Sequence, residues 1–328
     1  MAPVIGRPVR RRTFRSSSKK TVIVYFTYRS GSTPGPFRGF VRVPRGYPDA
    51  NVFICGLTLA ARQQVDKLTR ASVTVNKYRY DPTNGQLEVG VNAVLASASG
   101  QANWHEVTFA VVLTDTSVAQ FTHINGSCGG VGQCSIARNL AGAIPPGMHY
   151  IGLGTRSWEL GSNDGPIPLN ALSGHIDALT VGPTDVTLDY AGAFRNAAQS
   201  NRMYLEWAAS VIAFTHSEMA QNTSPIFPQY TTGIGTVTTR QAWTNNDVAP
   251  TPIKGALSAL EGMTYLYATG QEHELWIVEA SLGNVRIQPS TTNNVQTDWG
   301  IFLGTTFGDR QNGLQYDYQE SRVLGFLL

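Results

Sequence analysis

The residues with the clearest chemistry are cations clustered near the N-terminus. From position 7 to position 20 the chain reads Arg-Pro-Val-Arg-Arg-Arg-Thr-Phe-Arg, followed by three serines and two lysines. A guanidinium group presents a planar fork of donors that fits two phosphate oxygens, and each neutralised phosphate releases counterions. We therefore expect a nucleic-acid backbone to be bound, with little sequence preference, by Arg7, Arg10, Arg11, Arg12, Arg15, Lys19 and Lys20.

The same segment has few means of folding by itself. Pro3 and Pro8 oppose a helix, and cations at this density repel one another. We expect a disordered arm that orders when phosphates neutralise it, with Phe14 able to stack on an exposed base. A nuclear-localisation signal, a patch for a membrane surface and a solvated tail are the alternative interpretations of the same residues.

Charge is divided unevenly along the chain. Eleven of the 25 basic residues lie within positions 1–48, where there is no acid, and the first carboxylate is Asp49. The rest of the chain carries 14 basic and 22 acidic residues, a formal net charge of −8, so the total of +3 conceals a +11 end on an acidic body. This asymmetry indicates a polyanionic partner for the basic end and a molecule with an inside and an outside.

The composition restricts the classes of protein to which the chain can belong. Charged residues make up 14% of the chain, against roughly 25% in ordinary globular domains, which is typical of a surface covered by copies of itself. The three cysteines, Cys55, Cys128 and Cys134, are not expected to form a disulfide framework and favour a reducing compartment. No apolar stretch follows the basic residues as in a secretory signal, and no run of about 18 apolar residues predicts a membrane span.

Past residue 20 the pattern of the sequence has the period of β-strands. Thr21–Tyr28 is a run of β-branched and aromatic residues, and apolar residues alternate with polar ones on both sides of an Asn84-Gly85 tight-turn signal. Helical spacing occurs only over 57–68 and 200–214. We predict an all-β sandwich with a few short helices; Gly182-Pro183 and the Pro-rich residues 248–255 are candidate boundaries.

The organisation resembles the capsid proteins of small icosahedral viruses, with nodavirus-like and tombusvirus-like proteins as the nearest comparison. The residues that carry this resemblance are those of the Arg-rich arm, Arg7 to Lys20. The resemblance implies a jelly-roll fold, an arm spanning 1–20, a shell domain spanning 21–250, and a C-terminal segment, 251–328, that completes the shell or projects from it.

The resemblance also implies partners and a location. It implies many copies of the chain in one closed shell, a packaged genome of RNA in preference to single-stranded DNA, and a host receptor that the sequence does not identify. The expected location is the virion, with the host cytoplasm before assembly and nuclear entry through the basic arm as a further option. No catalysis, resident cofactor or membrane insertion is expected. Calcium between subunits is the one metal the family offers, with Asp185 and Asp189 as conceivable ligands.

One motif competes with this interpretation. Gly126-Ser127-Cys128-Gly129-Gly130, with His149 downstream, is similar to the nucleophile turn of chymotrypsin-like viral cysteine proteases. That chemistry needs an upstream histidine, and the first histidine of the chain, His105, is only 23 residues before Cys128 and lies in a predicted strand. The alternative functions are therefore a non-viral nucleic-acid-binding β-sandwich protein and a cysteine protease. The alternative interpretation of the motif itself is a glycine-rich loop between strands, with Cys128 and Cys134 as small buried residues.

Overall fold

The protein is all-β, as the alternating sequence pattern predicts. A computed structural model describes residues 7–15, 20–30, 36–61, 67–97, 103–215, 229–230, 237–244, 256–267, 277–280, 283–292, 295–307 and 316–327. Within these ranges every regular element is a strand and all strand pairs are antiparallel. Because no element described is a helix, none is long and apolar enough to cross a membrane.

The described residues form twenty strands. The first ten are β1 (Val9–Arg15), β2 (Thr21–Arg29), β3 (Phe37–Arg42), β4 (Asp49–Ala61), β5 (Leu68–Asp81), β6 (Gln86–Ser97), β7 (Asn103–Thr114), β8 (Ala119–Val131), β9 (Gln133–Leu140) and β10 (Met148–Ser162). The second ten are β11 (Ala171–Val181), β12 (Val186–Arg195), β13 (Arg202–Thr215), β14 (Gln229–Tyr230), β15 (Val237–Thr244), β16 (Ala256–Tyr267), β17 (Ile277–Ala280), β18 (Gly283–Thr292), β19 (Val295–Phe307) and β20 (Tyr316–Leu327).

Four sheets organise these strands. Sheet I has the order β1-β2-β7-β4-β17, sheet II β3-β6-β5-β10-β13-β8, sheet III β14-β20-β16-β11-β12-β9, and sheet IV β15-β19-β18. The arrangement is that of a β-sandwich with more strands than the eight of a simple jelly roll. The jelly-roll topology itself therefore stays a prediction.

Sheets I and II pack face to face. Contacts join β4 to β5 and β6, and Tyr28 on β2 lies against Phe37 on β3 with ring centroids 6.0 Å apart. The run Thr21–Tyr28 is buried at every position, so β2 has apolar neighbours on both of its faces. This explains why the sequence there is a continuous apolar run instead of an alternating one.

Sheet III covers the far end of sheet II. Tyr190 on β12 stacks on Trp207 of β13, with ring centroids 4.1 Å apart and planes within 8° of parallel. The buried carboxylate of Glu261, at a bulge in β16, accepts a hydrogen bond of 3.1 Å from the backbone N–H of Leu153 on β10. Ring stacking and a buried hydrogen bond thus fix the two sheets together.

The chain passes from sheet II to sheet III at a corner closed by a disulfide. β8 belongs to sheet II and β9 to sheet III, and Gly132 between them has a φ of +70°. The sulfurs of Cys128 and Cys134 are bonded across this corner, while Cys55 is buried and takes no part in a disulfide. The expectations of unpaired cysteines and of a glycine-rich loop here are both wrong, because the turn at Gly132 folds β9 back beside the end of β8.

Two predicted helices are strands in the described part of the chain. Residues 202–214 belong to β13, which pairs with β10 on one side and β8 on the other and is buried at every position from Ala209 to Phe214. Leu57 lies in β4 and Leu68 begins β5, with 62–66 outside the described residues. Pairing within the sheets overrides the helical spacing at both places.

The candidate boundaries have different outcomes. Gly182-Pro183 lies in a tight turn of the β11–β12 hairpin, where the N–H of Gly182 donates to the Asp185 carbonyl at 2.8 Å, so it does not separate domains. The Pro-rich segment at 248–255 lies outside the described residues. β16 pairs with β11 and β17 pairs with β4, so strands of the C-terminal segment extend sheets of the body.

Candidate nucleic-acid interface

Part of the predicted arm is a strand. β1 pairs antiparallel with β2, from Val9 opposite Thr27 to Arg15 opposite Val22, with a bulge between Arg10 and Arg12. The expectation of a disordered arm is therefore wrong for Val9–Arg15. The reason lies in the tertiary structure, since β7 pairs with only one edge of β2. The other edge needs hydrogen-bond partners, and the segment that follows Pro8 can supply them as a strand.

β1 is the terminal strand of sheet I, and its cations suit that position. Arg7, Arg10 and Arg15 are exposed, as is Val9, whose exposed fraction is 62%. The Nε of Arg10 donates to the Oγ1 of Thr13 at 3.0 Å, which holds one guanidinium along the strand. Charged side chains on a terminal strand discourage further strand pairing, so these arginines also protect the edge of the sheet.

The structure describes the other predicted contact residues to different extents. Arg11 and Arg12 lie in β1, but their side chains are outside the description, and Lys19 is outside it altogether. Lys20 is exposed immediately before β2, where its carbonyl accepts a hydrogen bond of 3.0 Å from the Asp115 N–H. The pKa of Asp115 is lowered mainly by hydrogen bonds from Ser117, with a smaller contribution from the Lys20 charge.

The exposed Arg10 and Arg15 of β1, and Arg7 just before it, have no acidic partner among the described residues. The five ion pairs of this part join Arg29 to Glu106, Arg38 to Glu88, Arg70 to Glu159, Lys77 to Asp49 and Arg202 to Asp164. Two cations of the +11 end are thus neutralised locally, whereas Arg7, Arg10 and Arg15 present their full charge to solvent. A chain of phosphates is the partner that this charge fits.

A second group of cations lies close to β1 in the fold. β3 is the terminal strand of sheet II, and it lies on the same side of the sandwich as β1, because β2 next to β1 packs on β3 through Tyr28 and Phe37. β3 and the loop after it carry the exposed Arg38, Arg42 and Arg45. Among the described residues, Arg38, Arg42 and Arg45 thus lie at the edge of the sandwich that includes β1.

The two aspartates considered as calcium ligands do not lie together in the fold. Asp185 lies in the β11–β12 turn, where it accepts hydrogen bonds from the Gly142 N–H at 2.9 Å and the Thr184 hydroxyl at 3.0 Å. The Gly142 hydrogen bond, followed by that of Thr184, lowers the pKa of Asp185. Asp189 is four residues further along the strand, about 13 Å away in extended chain, which is too far for one ion to bind both within a chain.

The cysteine motif does not form a nucleophilic site. Cys128 is bonded to Cys134, so its sulfur is neither a free thiolate nor a zinc ligand in this structure. Gly126 and Gly130 lie within β8, and an added Cβ at Gly130 would come within 2.2 Å of the Gln133 carbonyl oxygen. The glycines therefore serve the tight corner between β8 and β9, and the protease alternative has no support in the geometry.

Comparisons with known proteins give no further identification. The chain matches no family model, no curated protein and no solved structure. Within the described residues no group of three or more histidine, cysteine or acidic side chains could hold a metal ion. The functional interpretation therefore rests on the residues themselves.

Sequence reasoning missed one part of this interface. Arg38 and Arg42 were counted in the basic end but not as contact residues, although the alternation Arg38-Gly39-Phe40-Val41-Arg42 places three exposed side chains on one face of a strand. The neighbouring Tyr78 had no signal in the sequence, because it reaches the same face through a bulge in β5.

Proposed function

We propose that the chain is a capsid protein of a small icosahedral virus, which assembles in many copies into a closed shell and packages the genome through its Arg-rich N-terminal segment. The observation that carries the proposal is the acid-free basic end, whose exposed arginines on β1 have no ion-pair partner among the described residues. An acidic body attached to such an end fits a shell, in which one surface meets the genome and the other does not.

Features of the body support assembly. β8, thirteen residues long, is the terminal strand of sheet II, and Val131 at its end has an exposed fraction of 61%. A terminal strand presents backbone groups that a neighbouring chain can pair with. The low charged fraction of 14% also favours a surface that is covered by further copies.

Electron microscopy of the purified full-length protein tests the proposal. We expect closed particles of uniform size. Their ultraviolet absorbance should show that they contain nucleic acid, and nuclease should digest that nucleic acid only after the particles are opened. A monodisperse monomer under all assembly conditions contradicts the shell. If that monomer binds nucleic acid, the protein is a nucleic-acid-binding β-sandwich of another kind.

A further inference from the structure

The outer surface of sheet II carries cations and aromatic rings side by side. Along β3 buried and exposed residues alternate, so Arg38, Phe40 and Arg42 share the side of the sheet that faces away from sheet I. Phe37 lies on the opposite side, against Tyr28 in the core. The exposed side of β3 therefore consists of an aromatic ring between two guanidinium groups.

A bulge adds two more side chains to this surface. The register of β5 against β6 shifts between Lys77 and Arg79, so Tyr78 is the extra residue of a β-bulge. Its ring lies over Gly90 of β6, where an added Cβ would come within 2.6 Å of the Tyr78 Cε2 atom. Arg79 pairs with Glu88, the residue that also pairs with Phe40 on β3. Tyr78 and Arg79 thus face the same side as Phe40.

The geometry of the surface is fixed by contacts within it. The guanidinium carbon of Arg38 lies 3.9 Å from the centre of the Tyr78 ring, and its Nε donates to Glu88 at 2.9 Å. A cation held against a ring in this way and paired with a carboxylate has little freedom to move away. We name the set of Arg38, Phe40, Arg42, Tyr78 and Arg79 the aromatic patch.

The aromatic patch exposes rings that a folded chain normally covers. The exposed fraction is 60% for Phe40 and 49% for Tyr78, and no ring contact among the described residues involves Phe40. Single exposed apolar residues are ordinary, but two rings two strands apart on one sheet face form a platform. A platform of this kind binds flat apolar groups.

The charge of the aromatic patch selects among flat partners. Glu88 is paired with Arg38, and Asp81 at the end of β5 accepts hydrogen bonds from the N–H groups of Thr83 and Asn84 within the turn. In the part of the chain described, no ion pair involves Arg42 or Arg79. The surface is therefore net positive, with two cations beside the exposed rings.

We propose that the aromatic patch binds single-stranded nucleic acid, with bases stacked on Phe40 and on the Tyr78–Arg38 pair and with phosphates contacted by Arg42 and Arg79. The inference rests on the proposed function for the identity of the polymer. Unpaired bases stack on aromatic rings and on guanidinium planes whatever their sequence, whereas the paired bases of a duplex offer no free face. β1 and β3 are terminal strands at the same edge of the sandwich, so a nucleic-acid strand neutralised by β1 can pass around this edge to the aromatic patch.

A pair of oligonucleotides separates stacking from charge. One is a fluorescent 12-nucleotide RNA of mixed sequence, and the other is an abasic ribose-phosphate chain with the same number of phosphates; both are titrated into unassembled full-length protein. We expect the base-bearing chain to bind roughly five-fold tighter or more for each stacked base. The double variant Phe40→Ala/Tyr78→Ala should lower this ratio and leave the affinity for the abasic chain unchanged.

Two further variants make the outcome decisive. Phe40→Trp/Tyr78→Trp keeps two stacking surfaces and should keep the ratio, while Leu179→Ala/Val181→Ala removes exposed aliphatic side chains of β11 and should not change it. A ratio that the double alanine variant leaves unchanged overturns the proposal. If that variant instead blocks assembly with the ratio unchanged, the aromatic patch is a contact between subunits. A native chain that binds neither oligonucleotide contradicts the proposed function as well.

Discussion

The basic strand β1 and the aromatic patch both present arginines to solvent, but their surroundings differ. The exposed Arg10 and Arg15 stand on the terminal strand β1, and Arg7 lies just before it, without acidic partners among the described residues. In the aromatic patch, guanidinium groups lie beside Phe40, Tyr78 and the carboxylate of Glu88. The first arrangement supplies charge alone, and the second supplies flat surfaces at fixed positions. We therefore expect β1 to contribute more to the salt dependence of binding, and the aromatic patch to distinguish nucleic acid from other polyanions.

The largest expected effect separates the structural role of β1 from its charge. Deletion of residues 1–20 removes one of the two partners of β2, whose buried Val22 and Val24 then lie at an open edge of sheet I. Loss of the six-residue ladder should lower the free energy of unfolding by roughly 3 kcal/mol or more, seen as a lower thermal midpoint and lower solubility.

A charge variant is the matched control for that deletion. Arg7→Gln/Arg10→Gln/Arg15→Gln keeps the backbone ladder and should unfold at the native midpoint. Equal midpoints for the deleted and native chains would show that β1 contributes nothing to sheet I.

A smaller effect tests the charge of the aromatic patch. Arg42→Gln/Arg79→Gln should reduce the slope of log affinity against log salt by about 1.4 for a single-stranded RNA, because each phosphate contact contributes about 0.7. The base-bearing and abasic chains should lose the same amount, since the rings are unchanged. Lys67→Gln/Arg195→Gln is the control with the same change in charge, and an equal loss in that control refutes a specific role for Arg42 and Arg79.

The sequence predicts the strands better than their partners. Asn84-Gly85 and the flanking alternation predicted the β5–β6 hairpin, and the apolar run Thr21–Tyr28 predicted β2, because both signals are local. Residues 202–214 were misassigned as a helix; as β13 between β8 and β10 their burial alternates only as far as Ala209, and every residue from there to Phe214 is buried.

The interface was predicted only in part, for the same physical reason. Composition alone identified the cations of the arm. The strand β1, however, forms only because β2 has an edge left to pair with, and the residues of the arm do not reveal that edge. The aromatic patch depends on the bulge at Tyr78 and on the register of three strands. The Cys128–Cys134 disulfide depends on the corner at Gly132. Register and chain reversal are set by the whole sheet, so local patterns do not contain them.

The most direct test of the central claim is the salt dependence of RNA binding by three full-length proteins. They are the native chain, the β1 variant Arg7→Gln/Arg10→Gln/Arg15→Gln (Arg7 lies just before the strand), and the control Lys67→Gln/Arg195→Gln/Arg202→Gln, which removes the same charge from the body. If β1 binds the genome through phosphates, the slope of log affinity against log salt falls by about 2 for the β1 variant and stays at the native value for the control. Equal slopes for the two variants would contradict the account.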